Sequence, residues 1–366
     1  MHRIILPLAR CAGRTVVLAV IAFAAACSPD STTPSDSADL ARGGTPGPDL
    51  RAAMAAQARH EASIMAIAGV EGVGVGTTTD GRKGALVILT EHAAVGGIRR
   101  EFDGVPVRLI PTGKIIADPQ PKGGNGGGGG GGGSGDGAVD PTGTFARPVP
   151  IGVSIGNVGS CSAGTLGARV VKGGQPYILS NNHVLAEENE AQAGSEIIQP
   201  GRFDTAPQCS TPAGSGIATL SQFVPISFSG NNTVDAAIAA TTAGNVGTAT
   251  FSGGYGEPSS TTATAAVNMA VQKCGRTTGC TRGTVAAINA TINVQYTRGV
   301  ARFVNQVVIT GRRGAFSRSG DSGSLIVTDN ASANPVALLF AGGQTTTIGN
   351  PINAVLSALN VTIDGK

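Results

Sequence analysis

The stretch PQPKGGNGGGGGGGGSGDG, residues 119–137, has almost no side chains to pack, so it cannot join a core and divides the chain. It lacks the Lys-Ser/Thr ending and strand-then-helix setting of a phosphate-cradling loop, which leaves a flexible linker over 119–141. The 366 residues are enough for two or three domains, and this run fixes the main boundary.

Upstream of it, Arg3, Arg10 and Arg14 precede the apolar stretch TVVLAVIAFAAA, too short for a permanent membrane anchor; residues 1–26 therefore read as an export signal. Three of the 26 Lys and Arg residues leave with it, so basic and acidic residues then balance at 23. With no basic cluster, no Trp and three Tyr, the chain lacks both the charge footprint and the stacking platform of a nucleic-acid binder. Residues 27–48 are rich in Ser, Thr, Pro, Asp and Gly and predict a disordered tether. Processing leaves five cysteines, an odd number for an oxidising compartment. AAACSPD, with its small residues ending at Cys27, resembles the bacterial lipoprotein processing site, which implies lipidation of Cys27 and a membrane anchor through it.

From Asp49, a suitable N-cap, Leu50, Met54, Ala58 and Met65 recur at helical intervals. GVEGVGVGTT, GALVILTE and VPVRLI come next as strand-like runs divided by turns, so residues 49–118 predict a small α+β domain that the linker separates from the rest. His60 and His92 lie in it without the ligand spacing of a metal site.

From 142 to 366 many short apolar runs, among them VPIGVSI, ARVV, YILS, GTVAAI, QVVITG and SLIVT, alternate with turn residues and predict an all-β barrel or sandwich. NPINAVLSALNV, with Asn350 as N-cap and Pro351 in the first turn, predicts a closing helix.

This region holds one histidine, His183, in YILSNNHVLA. Asp235, in NNTVDAAIA, stands among small and apolar residues, where a carboxylate needs a partner. In RSGDSGSLIV, Gly320 and Gly323 bracket Ser322, permitting a tight turn that exposes a hydroxyl and backbone N–H groups. A serine hydroxyl needs a base, and the base needs a third group to fix its tautomer; His183 and Asp235 suit those roles.

SNNHV, TVDAAIA and SGDSGSLI, in the order His, Asp, Ser, resemble the active-site blocks of trypsin-like (chymotrypsin-fold) serine peptidases, and KCGRTTGCTRGTV resembles the Gly-Arg-Thr segment of bacterial members. The resemblance covers about residues 146–360. It implies two antiparallel six-stranded β-barrels with a cleft between them, and an exported serine endopeptidase acting on peptides or proteins without a cofactor or metal. It further implies His183, Asp235 and Ser322 as the triad, the N–H groups of Gly320 and Ser322 as the oxyanion hole, and a specificity pocket at Phe316, Gly342 and Gly343 that takes a small or apolar side chain. Asp321 matches the residue that, in members activated by cleavage, pairs with a newly formed amine; here a tether and a domain lie upstream instead. A silent binding scaffold and an esterase are the alternatives on the same fold. Cys161 with Cys209 and Cys274 with Cys280 are expected disulfides for an exported protein, though three connectivities fit the sequence. The absence of a C-x-x-C pair argues against zinc.

Overall fold

A computed structural model describes residues 47–117 and 139–366. The predicted export signal, nearly all of the predicted tether with Cys27, and the whole glycine-rich run lie outside the described residues.

The upstream unit contains helix α1 (Pro48–Met65) and strands β1 (Val70–Thr77), β2 (Lys83–Thr90), β3 (Glu101–Phe102) and β4 (Val105–Pro111). Pro48 opens α1, where its missing N–H is no loss, so the N-cap is Gly47 and Asp49 falls in the first turn. The helix buries Leu50, Ala53, Ala56, Gln57 and Ile64; Ala58, one of the positions expected inward, is exposed.

The rest begins with β5 (Val149–Ile151), β6 (Ser154–Asn157), β7 (Gly164–Thr165), β8 (Ala168–Lys172), β9 (Gln175–Ser180) and the single helical turn α2 (Asn182–Leu185). It continues with β10 (Glu196–Ile198), β11 (Gly216–Phe223), β12 (Asn231–Asn232), β13 (Ala237–Ala240) and β14 (Val246–Thr250). Then come β15 (Ala270–Gly275), β16 (Gly279–Tyr296), β17 (Gly299–Gly311), β18 (Leu325–Thr328), β19 (Pro335–Gly342), β20 (Thr346–Pro351), α3 (Ile352–Leu359) and β21 (Thr362–Ile363).

The strand order β7-β6-β10-β11-β13-β9-β8 makes the first barrel, in which β7 and β8 are two pieces of one bent strand around Leu166 and Gly167. The order β17-β20-β19-β18-β15-β16, closed by the pairing of β16 with β17, makes a second six-stranded antiparallel barrel. Val153, Ile155, Ile178, Ile197 and Leu220 fill the first. Leu179, Val234 and Ile238 of the first barrel meet Leu325, Val327 and Leu338 of the second in a shared apolar layer, against which α3 lays Ile352, Val355 and Leu359. Two covalent staples accompany this: Cys161–Cys209 and Cys274–Cys280 are disulfides.

Although the glycine-rich run sets residues 49–118 apart in the sequence, β1 pairs antiparallel with β16, so the upstream hairpin extends the sheet of the second barrel. The Gly-Val alternation of β1 explains the fit: Val73 and Val75 enter a core shared with Val285 and Ile309. A Cβ at Gly76 would overlap the carbonyl oxygen of Ala286, so only glycine allows that approach. At the far end, Asn350 lies within β20, paired with Leu338, rather than capping α3, whose N-cap is Pro351. The Asn350 side chain is engaged instead with the backbone of Asp235.

Candidate active site

β9 delivers the chain to SNNHV, where the first asparagines lock the turn. Asn181 Nδ2 donates to the carbonyl of Asp235 at 2.8 Å, and Asn182 Nδ2 donates to the carbonyl of Val224 at 2.8 Å. α2 then presents His183, only 2% exposed. Its Nδ1 lies 2.5 Å from Asp235 Oδ2, and its backbone N–H donates to Oδ1 at 3.2 Å. With Nδ1–H as the donor to that carboxylate, Nε2 carries the lone pair; Nε2 is buried and has no hydrogen-bond partner. The structure therefore brings His183 and Asp235 together with the base atom unengaged.

Asp235 is fully buried. Beyond His183 it accepts a hydrogen bond from the Tyr296 hydroxyl at 2.8 Å, and its own N–H donates to Asn350 Oδ1 at 3.0 Å. Asn350 Nδ2 donates in turn to Gln306 Oε1 at 2.7 Å. Burial, reinforced by the adjacent Asp235 charge, pushes the Tyr296 phenol well above its ordinary range, so it stays a donor. Tyr296 packs edge-on to the His183 ring and stacks on Phe303, which meets Phe340. Sequence reasoning missed Tyr296; the signal was the demand of Asp235 for partners, combined with a lone tyrosine ending an apolar alternating strand.

Ser322 comes from the loop between β17 and β18 and is 5% exposed. The loop is docked on the first barrel beside the histidine turn: the Ser322 carbonyl accepts from the Thr165 N–H at 2.7 Å, and the Gly320 carbonyl from Thr165 Oγ1 at 2.9 Å. Gly323 adopts φ +95°, and a Cβ there would collide with Ser180 Oγ, just ahead of the asparagines. No hydrogen bond joins the Ser322 hydroxyl to His183 among the described residues. Asp321 N–H is bound to the Arg318 carbonyl at 3.0 Å, whereas the N–H groups of Gly320 and Ser322 on either side donate to no acceptor among the described residues. Gly320, at φ +91°, supplies the left-handed residue this alternation needs.

The same loop rests on a second buried carboxylate. Asp321 Oδ1 accepts from the N–H groups of Thr277 and Thr278 at 2.9 and 3.1 Å, and Oδ2 from the Arg318 N–H at 2.9 Å and from Thr278 Oγ1 at 2.7 Å. Lys273 Nζ, also fully buried, stands 3.3 Å from Oδ1 and donates to the Gly279 carbonyl at 3.0 Å. Burial pulls the Lys273 ammonium below its ordinary range while Asp321 pulls it back up. The Arg of the Gly-Arg-Thr segment, Arg276, instead pairs with Asp204, Nε to Oδ2 at 2.8 Å, which ties the two barrels together.

A cavity of about 570 Å³ opens at Ser322, walled by Ala315, Ser317, Leu339, Ala341, Gly342 and Gly343 of the second barrel. Two of the three expected pocket residues, Gly342 and Gly343, are there. Phe316 is not: it is 2% exposed and packs in the core with Val285 and Ile309, while its neighbours Ala315 and Ser317 line the cavity. The upstream unit also lines this cavity, through Glu91, His92, Gly113, Lys114 and Ile116.

A family model described as the Nal1 C-terminal domain matches residues 255–350, a stretch that carries Ser322 but neither His183 nor Asp235. Comparison with curated proteins gives no match. Among solved structures, a glutamic acid-specific serine protease said to use a histidine triad in substrate binding is 26% identical, over 58% of this chain and 98% of its own, with a TM-score of 0.40. Protease A of Thermobifida fusca is 18% identical over 60% and 99%, with a TM-score of 0.42. Chymotrypsin of Cellulomonas bogoriensis is 22% identical over 60% and 99%, with a TM-score of 0.40.

The fold is chymotrypsin-like. The barrel closed by β16 and β17, the first sheet curled so that β7 runs on into β8, and the Ser322 loop docked on that first sheet carry that statement. No helix among the described residues is long and apolar enough to cross a membrane.

Proposed function

We propose that the chain is an exported serine endopeptidase that cleaves peptide bonds through an acyl-enzyme. One observation carries the reading: a buried His183–Asp235 pair with Nε2 unengaged lies on the barrel against which the Ser322 loop docks, and the N–H groups of Gly320 and Ser322 in that loop have no acceptor among the described residues.

In this reading the Ser322 hydroxyl attacks the scissile carbonyl and passes its proton to His183 Nε2. Asp235, with its charge fixed by the Tyr296 hydroxyl, holds the imidazole in the Nδ1–H tautomer and stabilises the imidazolium. Negative charge on the tetrahedral oxygen falls to the N–H groups of Gly320 and Ser322, and each such donor is worth about 3 kcal/mol in the transition state. His183 returns the proton to the leaving amine, and water repeats the sequence on the acyl-enzyme. The cavity walls of Ala315, Leu339, Ala341 and Gly342 suit a small or apolar substrate side chain. Two disulfides accord with an oxidising destination, and Cys27 supplies a lipid anchor there.

The test is fluorophosphonate labelling with peptide and matched ester substrates. Labelling of the wild type at Ser322, with labelling and cleavage lost in Ser322→Ala, is the expected result. A folded wild type that never labels would leave a binding scaffold, and turnover of esters alone an esterase. Mass spectrometry of the mature protein reads the state of Cys27.

A further inference from the structure

The proposed nucleophile shares its cavity with a segment of the same chain. From the end of β4, residues Pro111–Ala117 run between the end of β19 and the end of β16. Ile116 N–H donates to the Gly342 carbonyl at 2.9 Å, and Gly342 N–H donates back to the Ile116 carbonyl at 3.0 Å, an antiparallel bridge. On its other side the segment pairs in parallel with the end of β16: Ala117 N–H donates to the Gln295 carbonyl at 3.0 Å, and Gln295 N–H to the Ile115 carbonyl at 2.8 Å. The start is fixed as well, Gln344 N–H donating to the Thr112 carbonyl at 2.6 Å and Thr345 Oγ1 to the Pro111 carbonyl at 2.7 Å. Side chains alternate as in any strand: Ile115 and Ala117 are buried, and Ile116 is 45% exposed.

This is the mode by which a protein binds an extended peptide, main-chain bonds to a free edge giving affinity and alternate pockets giving specificity. The edge in question leads to the proposed nucleophile, since the carbonyl of Leu339, three residues before Gly342 on β19, accepts from the N–H of Gly323, next to Ser322. We propose that Ile115–Ala117 occupy the groove that takes the acyl side of a substrate peptide, so that the chain as made is latent until the segment is displaced. The inference rests on the serine-peptidase reading. One N–H and one carbonyl of Gly342 cannot serve two strands at once, so an incoming peptide competes with a tethered one whose effective concentration is on the order of millimolar. The groove then accepts on its buried side an aliphatic and a small residue two positions apart, as Ile115 and Ala117 do.

The test compares the full-length wild type with Ile116→Pro, which deletes the N–H given to Gly342. Two readouts are taken: labelling of Ser322 by a small fluorophosphonate, and cleavage of a peptide library. Cleavage rising roughly tenfold or more in Ile116→Pro, the effect of about one net hydrogen bond, supports latency. Equal labelling with equal cleavage in both proteins overturns it and leaves the peptidase standing. Absence of labelling in both overturns the peptidase reading itself. A measurement without substitution guards against misfolding of the variant, namely hydrogen exchange of the Ile116 and Ala117 amides in the wild type. A peptidyl phosphonate on Ser322 abolishes their protection, and a small phosphonate does not. Protection that persists under the peptidyl phosphonate would sink the proposal.

Discussion

The molecule buries two carboxylates around one loop, and their surroundings differ in kind. Asp235 is met by the imidazole of His183 and the hydroxyl of Tyr296, groups that carry no fixed charge and leave a proton free to move. Asp321 is met by three backbone N–H groups, a threonine hydroxyl and the ammonium of Lys273, a set that holds charge in place. The first arrangement suits proton transfer and the second suits architecture, because a buried ion pair that loses one member leaves the other stranded. The Lys273 pair also gives Asp321 a cation from within the chain.

The largest effect that separates the two acids is catalytic. Asp235→Asn places the wrong tautomer on His183, and peptide cleavage by the active form falls about 10⁴-fold while the fold is retained. Comparable activity in that variant would erase the distinction. Next comes stability: Lys273→Met strands the Asp321 charge and lowers the unfolding free energy by about 3–5 kcal/mol, read from the midpoint of chemical denaturation. An unchanged midpoint would show that the loop does not depend on the pair. Tyr296→Phe sharpens the contrast further. It removes one donor from Asp235 and lowers kcat about tenfold with KM kept, at a stability cost of about 1 kcal/mol. Smallest is an alkaline effect. The folded phenol is raised above its ordinary 10.0, so the unfolded chain loses that proton first. This contribution to stability is complete below about pH 9 and is lost as the pH rises through 10, by less than about 1 kcal/mol at pH 10.5. Tyr296→Phe lacks this component, and a fall of equal steepness in both proteins would assign it elsewhere.

Much of this is legible in the sequence. The three blocks around His183, Asp235 and Ser322 stand out because each packs unusual chemistry into a few residues; short apolar runs with frequent turns predict an all-β barrel or sandwich, and it is the resemblance of the blocks that implies two barrels. The two cysteine pairs that flank the histidine region and the GRTTG turn are the ones joined. What stayed hidden depends on register over long distances. Tyr296 is 61 residues from Asp235, and nothing local says that its hydroxyl ends there. Phe316 lies in the core rather than on the cavity wall, since counting back from Ser322 gives a position but not the face to which a side chain turns. The docking of residues 49–118 escaped for a different reason. A glycine-rich run in the sequence marks a boundary between two parts of the chain, and says nothing about whether their edges match once folded.

The pairing of β1 with β16 also has a consequence for solubility. β16 runs 18 residues, longer than most strands, and one side of its central stretch is covered by the upstream hairpin, Gly72 opposite Ile292 through Gly76 opposite Ala287. Stripped of that hairpin, Ala286–Ile292 becomes an uncharged, largely apolar ribbon with open hydrogen-bonding groups, the kind of edge that recruits a second copy. A version lacking residues 47–117 should therefore gain light scattering as concentration rises, with the full chain remaining clear.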